Sequence, residues 1–129
     1  RAFKENPHIR LVAMETANWK IDEGYEVTRQ LFSVHPEIEL LFCANDMMAL
    51  GALKYLQEAG RQDVKVAAYD ALEQARQAIR AGRLAVTVDQ QAAEQGYQGV
   101  LLANRALKGD AMPELMLVDT RLVTAENVK

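Results

Sequence analysis

Apolar and polar positions along this chain fall into blocks whose period alternates between about 2 residues, as in strands, and about 3.6, as in amphipathic helices. The sharpest change is at residues 40–53. Leu40, Leu41, Phe42, Cys43 and Ala44 run without a polar break, as in a strand buried on both faces, and Asn45 and Asp46 follow. Met47, Leu50 and Leu53 then form a helical stripe, with Asp46 as the expected N-cap. Residues 1–6 read as a helix tail closed by Asn6 and Pro7, and Ile9 to Met14 as a strand. Ile21, Tyr25, Thr28 and Phe32 share one face of a helix that ends at His35 and Pro36. Further on, Val64–Tyr69 and Leu84–Val88 predict strands, while Met47–Ala59, Leu72–Ala81 and Ala92–Lys108 predict helices. Gly60 and Gly82 stand at two helix stops, and Leu115–Val123 reads as one or two short strands.

A β-α unit repeated in this way predicts an α/β fold: an open, mostly parallel sheet with helices on both faces and right-handed crossovers. Parallel strands deliver the residues that follow them to one edge, where ligands bind in open α/β sheets. Trp19 follows the first expected strand, Asn45 the second, Asp70 the third and Gln90 the fourth. An indole with two carboxamides and a carboxylate suits a small polyhydroxylated ligand, whose C–H faces are apolar and whose vicinal hydroxyls pair with planar polar groups. Each residue also has a plainer role open to it. Asn45 and Asp70 could be turn or cap residues, Trp19 a hydrophobic staple for the next helix, and Gln90 part of a solvated loop.

Composition narrows the classes. The 129 residues suffice for one compact domain, half of them apolar and about a quarter charged. Fifteen basic against eighteen acidic residues leave a net charge of −3, which argues against nucleic-acid binding. Apolar runs are too short to insert into a bilayer. The single cysteine, Cys43, excludes an internal disulfide and reads as a buried thiol. Catalytic patterns are missing: there is no glycine-rich phosphate loop, no His or Cys pair at metal spacing, and Ser33 falls inside a helix. Neither an enzyme nor a bound cofactor is expected, although Glu15, Asp70 and Asp89 could in principle share a proton or a cation. The start, Arg1-Ala2-Phe3, has neither an initiator methionine nor a signal peptide, as in a piece of a longer protein.

Three segments, ANDMMALGAL at 44–53, VAAYDALEQARQAIRAGRLAVTVDQ at 66–90 and LVTAENV at 122–128, resemble the carboxyl-terminal lobe of bacterial sugar-binding proteins of the ribose-binding type. Those are the type I periplasmic solute receptors of ABC importers, whose fold is shared with the effector cores of LacI-type repressors. By this resemblance Trp19 matches the family's aromatic stacking position, Asn45 the asparagine of its N-D-x-M-A-x-G-A motif, Asp70 its strand-end aspartate and Gln90 its hinge-proximal glutamine. It implies pentose or hexose binding between two lobes that close about a hinge, a closed form read by the importer's membrane subunits, and a periplasmic location. It also implies a division into a ligand-binding lobe at 1–90, a helical segment at 91–114 that crosses to an amino-terminal lobe absent from this chain, and terminal strands at 115–129 that return to the hinge.

The helix at 92–108 would then present Tyr97, Val100, Leu101 and Leu107 as an apolar stripe. It is expected to be swapped between copies, buried in a homodimer or folded back on this lobe. The ending LVTAENV favours a transport receptor over a repressor core. A phosphorelay receiver, the alternative from another class, needs an acidic pair after its first strand and a lysine after its fifth; only Glu15, and then Asp119-Thr120, occupy those places.

Overall fold

A computed structural model describes residues 5–129. In chain order the elements are α1 (Ile21–Val34), β1 (Leu40–Phe42), α2 (Asp46–Glu58), β2 (Lys65–Tyr69), α3 (Glu73–Arg80), β3 (Val86–Asp89), α4 (Ala92–Leu107) and β4 (Arg121–Thr124). The sheet order is β1-β2-β3-β4. The first three strands are parallel, with Leu41 beside Val66 and Ala68 beside Thr87. β4 runs antiparallel to β3, placing Val123 beside Thr87. The expected open, mostly parallel α/β sheet is therefore present, closed at one edge by an antiparallel strand. The helix tail expected over 1–6 falls mostly outside the described residues.

Successive strand side chains face opposite ways, and here the two faces differ. Leu41, Val66, Ala68, Thr87 and Val123 are buried beneath α2 and α3, which contribute Ala49, Ala52, Leu53, Leu56, Ala75, Ala78 and Ile79 to the same core. On the other face Leu40 and Phe42 are 58% and 68% exposed. Helices were expected on both faces, but α4, which follows β3, buries no residue at all. Folding back on this lobe, one of the three expectations for that helix, is thus not what it does.

Two local expectations also change. Residues 9–14 belong to no ladder, with Ile9, Leu11 and Met14 exposed. Their apolar pattern is strand-like, yet a strand exists only through hydrogen bonds to a neighbour. Of the run expected at 115–123, only 121–123 pairs, within a strand that extends to Thr124. The N-cap of α2 is Asn45, not Asp46: its Oδ1 accepts from the Met48 N–H at 2.9 Å. Either residue can cap a helix, and tertiary contact decides between them. Asp46 is fully buried and accepts from two donors elsewhere in the fold, Leu72 N–H and Thr87 Oγ1, each at 2.7 Å.

α1 lies close against α2. An added Cβ on Gly24 would stand 2.5 Å from the Met48 carbonyl oxygen, and one on Gly51 2.0 Å from that of Ile21. Beside this contact Tyr25 meets Tyr55 edge-on at 5.8 Å and donates from its hydroxyl to Glu58 at 2.7 Å. The crossing also fixes the position of Trp19, because the turn leading into α1 carries that residue.

Candidate functional site

The carboxyl ends of β1, β2 and β3 form one rim, and the four residues singled out from the sequence stand along it. Asn45 comes three residues after β1, Asp70 directly after β2 and Gln90 directly after β3. The structure brings them together as two pairs. Gln90 Nε2 donates to Asp70 Oδ1 at 2.6 Å, and Asn45 Nδ2 donates to the Trp19 carbonyl at 3.4 Å. Asn45 is buried, Asp70 and Gln90 are half-buried, and Trp19 is 64% exposed.

A hydrophobic staple would pair Trp19 with the fourth residue of α1; that residue is Gly24, which has no side chain to offer. Asn45 does cap α2, so its carbonyl oxygen is engaged, while one of its two Nδ2 hydrogens remains beyond the bond to Trp19. Asp70 has φ 117° and Ala71 φ 57°, conformations that an ordinary turn avoids in non-glycine residues. Asn18, Trp19 and Gln91 also have positive φ, at 46°, 65° and 54°. All five sit in the loops that follow strands or expected strands. Backbone strain of this kind clusters where a fold holds side chains for a purpose other than stability.

Beside Trp19 is a shallow hollow of about 390 Å³ lined by Met14, Glu15, Thr16, Asn18, Ala44 and Met48, among others. A second, of about 350 Å³, lies at the opposite edge of the sheet, where Arg61, Lys65 and Arg83 surround Leu53 and Leu56. None of the four rim residues lines it. Long basic side chains beside helix carboxyl ends are what the helix dipole favours there. Among the described residues no group of three His, Cys, Asp or Glu side chains is placed to hold a metal ion.

Sequence reasoning missed the residues beneath the rim. Burial raises the pKa of Asp46, and hydrogen bonds from Thr87 and from the Leu72 and Ala71 amides work against that rise. Thr87 is the only polar residue inside the run Ala85-Val86-Thr87-Val88, a signal that could have marked a buried hydrogen bond. Arg76 bonds the Ala71 carbonyl and Asp89, and nothing in its local sequence announces this.

Burial pushes the Cys43 thiol up to about 12, with the Asp46 carboxylate adding to the effect. Alkylation of Cys43 by iodoacetamide at mildly alkaline pH, followed by mass spectrometry, should run roughly a thousandfold slower in the folded chain than in denaturant, since only the thiolate reacts. Equal rates would show that the thiol, which is half-buried, is not held away from solvent.

Residues 1–111 match the family described as Periplasmic binding protein domain. The ribose import binding protein of Salmonella typhimurium is 36% identical over 113 residues, covering 88% of this chain and 38% of that protein. The D-allose-binding periplasmic protein of Escherichia coli is 35% identical, covering 95% of this chain and 42% of its own length. Among solved structures, an ABC transporter solute binding protein from Bacillus halodurans with bound myo-inositol superposes with a TM-score of 0.92. That match has 35% identity and covers 98% of this chain and 44% of the other. The chain thus spans about two fifths of the length of the proteins it matches. Both the sheet with its rim and these matches lead to one assignment: this chain belongs to the periplasmic binding protein domain family.

Proposed function

We propose that this chain is the carboxyl-terminal, sugar-gripping lobe of a solute-binding protein that serves an ABC importer in the periplasm, and that it performs no chemistry. The observation that carries the reading is the rim itself, where a carboxylate held by one carboxamide stands on the same sheet edge as a tryptophan whose backbone carbonyl is held by another. In this reading Asp70 accepts from one or two sugar hydroxyls, while Gln90 and the remaining Asn45 hydrogen supply the complementary polar contacts. The Trp19 face packs on the sugar's apolar C–H surface. The names of the relatives, which specify ribose and D-allose, support a small monosaccharide. They are transport receptors, and so they favour this reading over a repressor's effector core.

The same reading divides the chain as the sequence resemblance implied: the lobe at 1–90, a crossing segment at 91–114 and returning strands at 115–129. The apolar stripe of α4, with Tyr97 60%, Val100 71% and Leu107 89% exposed, then packs on the amino-terminal lobe. That second lobe closes over the sugar, ligand contacts to both lobes stabilise the closed form, and the importer's membrane subunits recognise it. No helix among the described residues is long and apolar enough to cross a membrane.

Trp19 is the only tryptophan, so its fluorescence reports on the site directly. Titrating the chain with D-ribose, D-allose and myo-inositol should shift its emission for at least one of them. One lobe gives half of a sandwich, so millimolar affinity is expected, about 4 kcal/mol or less. If no sugar shifts the emission, or if Asp70→Ala leaves a sugar's titration unchanged, the rim is not a sugar site.

A further inference from the structure

The backbone of residues 70–72 is held from several directions. The Asp70 N–H donates to the Val88 carbonyl at 2.9 Å. Thr87 Oγ1 accepts from the Ala71 N–H at 3.2 Å, and Asp46 Oδ2 accepts from the Leu72 N–H at 2.7 Å. Arg76 Nε donates to the Ala71 carbonyl at 3.0 Å. Those three side chains come from α2, β3 and α3. Asp46 and Thr87 are fully buried and joined to each other, the Thr87 hydroxyl donating to Asp46 Oδ1 at 2.7 Å. The hydroxyl is therefore both donor and acceptor, which leaves it one orientation.

Within this grip Asp70 and Ala71 adopt positive φ, a conformation that non-glycine residues keep only where the surroundings impose it. Leu72 occupies the N-cap position of α3 and has no side-chain cap to offer, so local sequence does not stabilise the turn. The grip also extends to the next strand end. Arg76 reaches Asp89 Oδ2 at 3.1 Å, and Asp89 Oδ1 accepts from the N–H of Gln91, whose φ is 54°. One network thus ties the exit of β2, where Asp70 stands, to the exit of β3, where Gln90 stands.

We propose that Asp46, Thr87 and Arg76 are positioning residues for the ligand site: they lock Asp70 and Ala71 in their positive-φ turn and set the Asp70 carboxylate at its distance from Gln90. The ligand part of this inference rests on the sugar reading above; the positioning part does not. A buried hydrogen-bonded network suits the task because its low-dielectric setting makes each bond strong and each missing partner costly, so the turn has one arrangement. Ligand contacts need that fixity, since a carboxylate free to swing loses affinity to ordering.

The test uses this chain with Thr87→Val, which removes only the hydroxyl function, Thr87→Ser, which keeps it, and Thr87→Val combined with Ala71→Gly. In the absence of sugar, the side-chain amide NMR signals of Gln90 report the bond to Asp70. Thr87→Val should move them toward the position of a solvated glutamine and speed exchange of the Ala71 and Leu72 amides, while Thr87→Ser should leave both unchanged. Ala71→Gly, which accepts positive φ without strain, should partly restore the Gln90 signals in the Thr87→Val background. In Trp19 fluorescence titrations with D-ribose and D-allose, Thr87→Val should weaken the better sugar at least tenfold. Should Thr87→Val fail to fold, Arg76→Met, at a position only partly buried, carries the same comparison. Unchanged Gln90 signals in a folded Thr87→Val or Arg76→Met variant overturn the inference. Changed signals with an Asp70→Ala variant that binds sugar normally would instead overturn the sugar reading and leave the latch standing.

Discussion

Gly51→Ala is expected to destabilise the fold by about 2–4 kcal/mol, against the usual direction for glycine in a helix. In a helix interior, glycine to alanine gains about 1 kcal/mol of intrinsic propensity. Here the added methyl would meet the Ile21 carbonyl oxygen at 2.0 Å and the Tyr25 nitrogen at 2.7 Å. Both are backbone atoms, so no side chain can rotate away and α1 must retreat from α2. Overpacking of this kind costs about 1–3 kcal/mol and more where backbone has to move. Gly24→Ala, which would meet the Met48 backbone at 2.5 and 2.8 Å, should behave alike. Gly96 and Gly99 in α4 have nothing within 4 Å of the added methyl, so alanine there should stabilise by up to about 1 kcal/mol each. Urea denaturation with a shared slope separates the two classes. Because α1 begins two residues after Trp19, the retreat should also weaken sugar binding. A Gly51→Ala protein as stable as Gly96→Ala would mean that the helices do not cross this closely.

Asp70→Gly should raise stability and weaken sugar binding in a single change. At φ 117° aspartate is in a region that only glycine visits freely, and relieving such a residue is worth about 1 kcal/mol, or a few degrees in melting temperature. The same substitution deletes the carboxylate that the proposed site uses for hydroxyls. A hydrogen bond to a charged group contributes about 1.5–3 kcal/mol, so affinity for the preferred sugar should fall roughly 10- to 150-fold. Asp70→Ala should lose the affinity without the gain in stability, because alanine is also disfavoured at this φ. Comparing melting curves and titrations of the two variants separates strain from contact. If Asp70→Gly melted lower than the parent, the aspartate would be contributing more through its bond to Gln90 than its backbone costs, and the strain argument would fail.

Among the described residues, the helices α1 to α4 and the three parallel strands could be placed from the chain alone, because each depends on residues within one or two turns of one another. The rim was legible for a related reason. Once strands are parallel, the residue after each one must emerge on the same side, so Asn45, Asp70 and Gln90 followed from strand ends without knowledge of any contact between them. Ile9 to Met14 shows where this stops: its apolar content equals that of a strand, but no strand among the described residues pairs with it. The exchange of roles between Asn45 and Asp46 has the same origin. Both are good caps locally, and only a buried position with two facing donors needs the carboxylate's several acceptor sites.

What the sequence determined by itself was therefore the order of elements, the parallel sheet and the edge at which polar side chains collect. Periodicity, caps and strand direction are short-range properties of a chain. Only the tertiary structure decided that one sheet face is covered while Leu40 and Phe42 stay open on the other, and that Thr87 and Arg76 reach a turn 16 and 5 residues away. The physical reason is that burial and pairing belong to the neighbour as much as to the residue. A threonine in a strand reads the same whether its hydroxyl meets water or Asp46, and folding alone supplies the partner that makes it hold Asp70 in place.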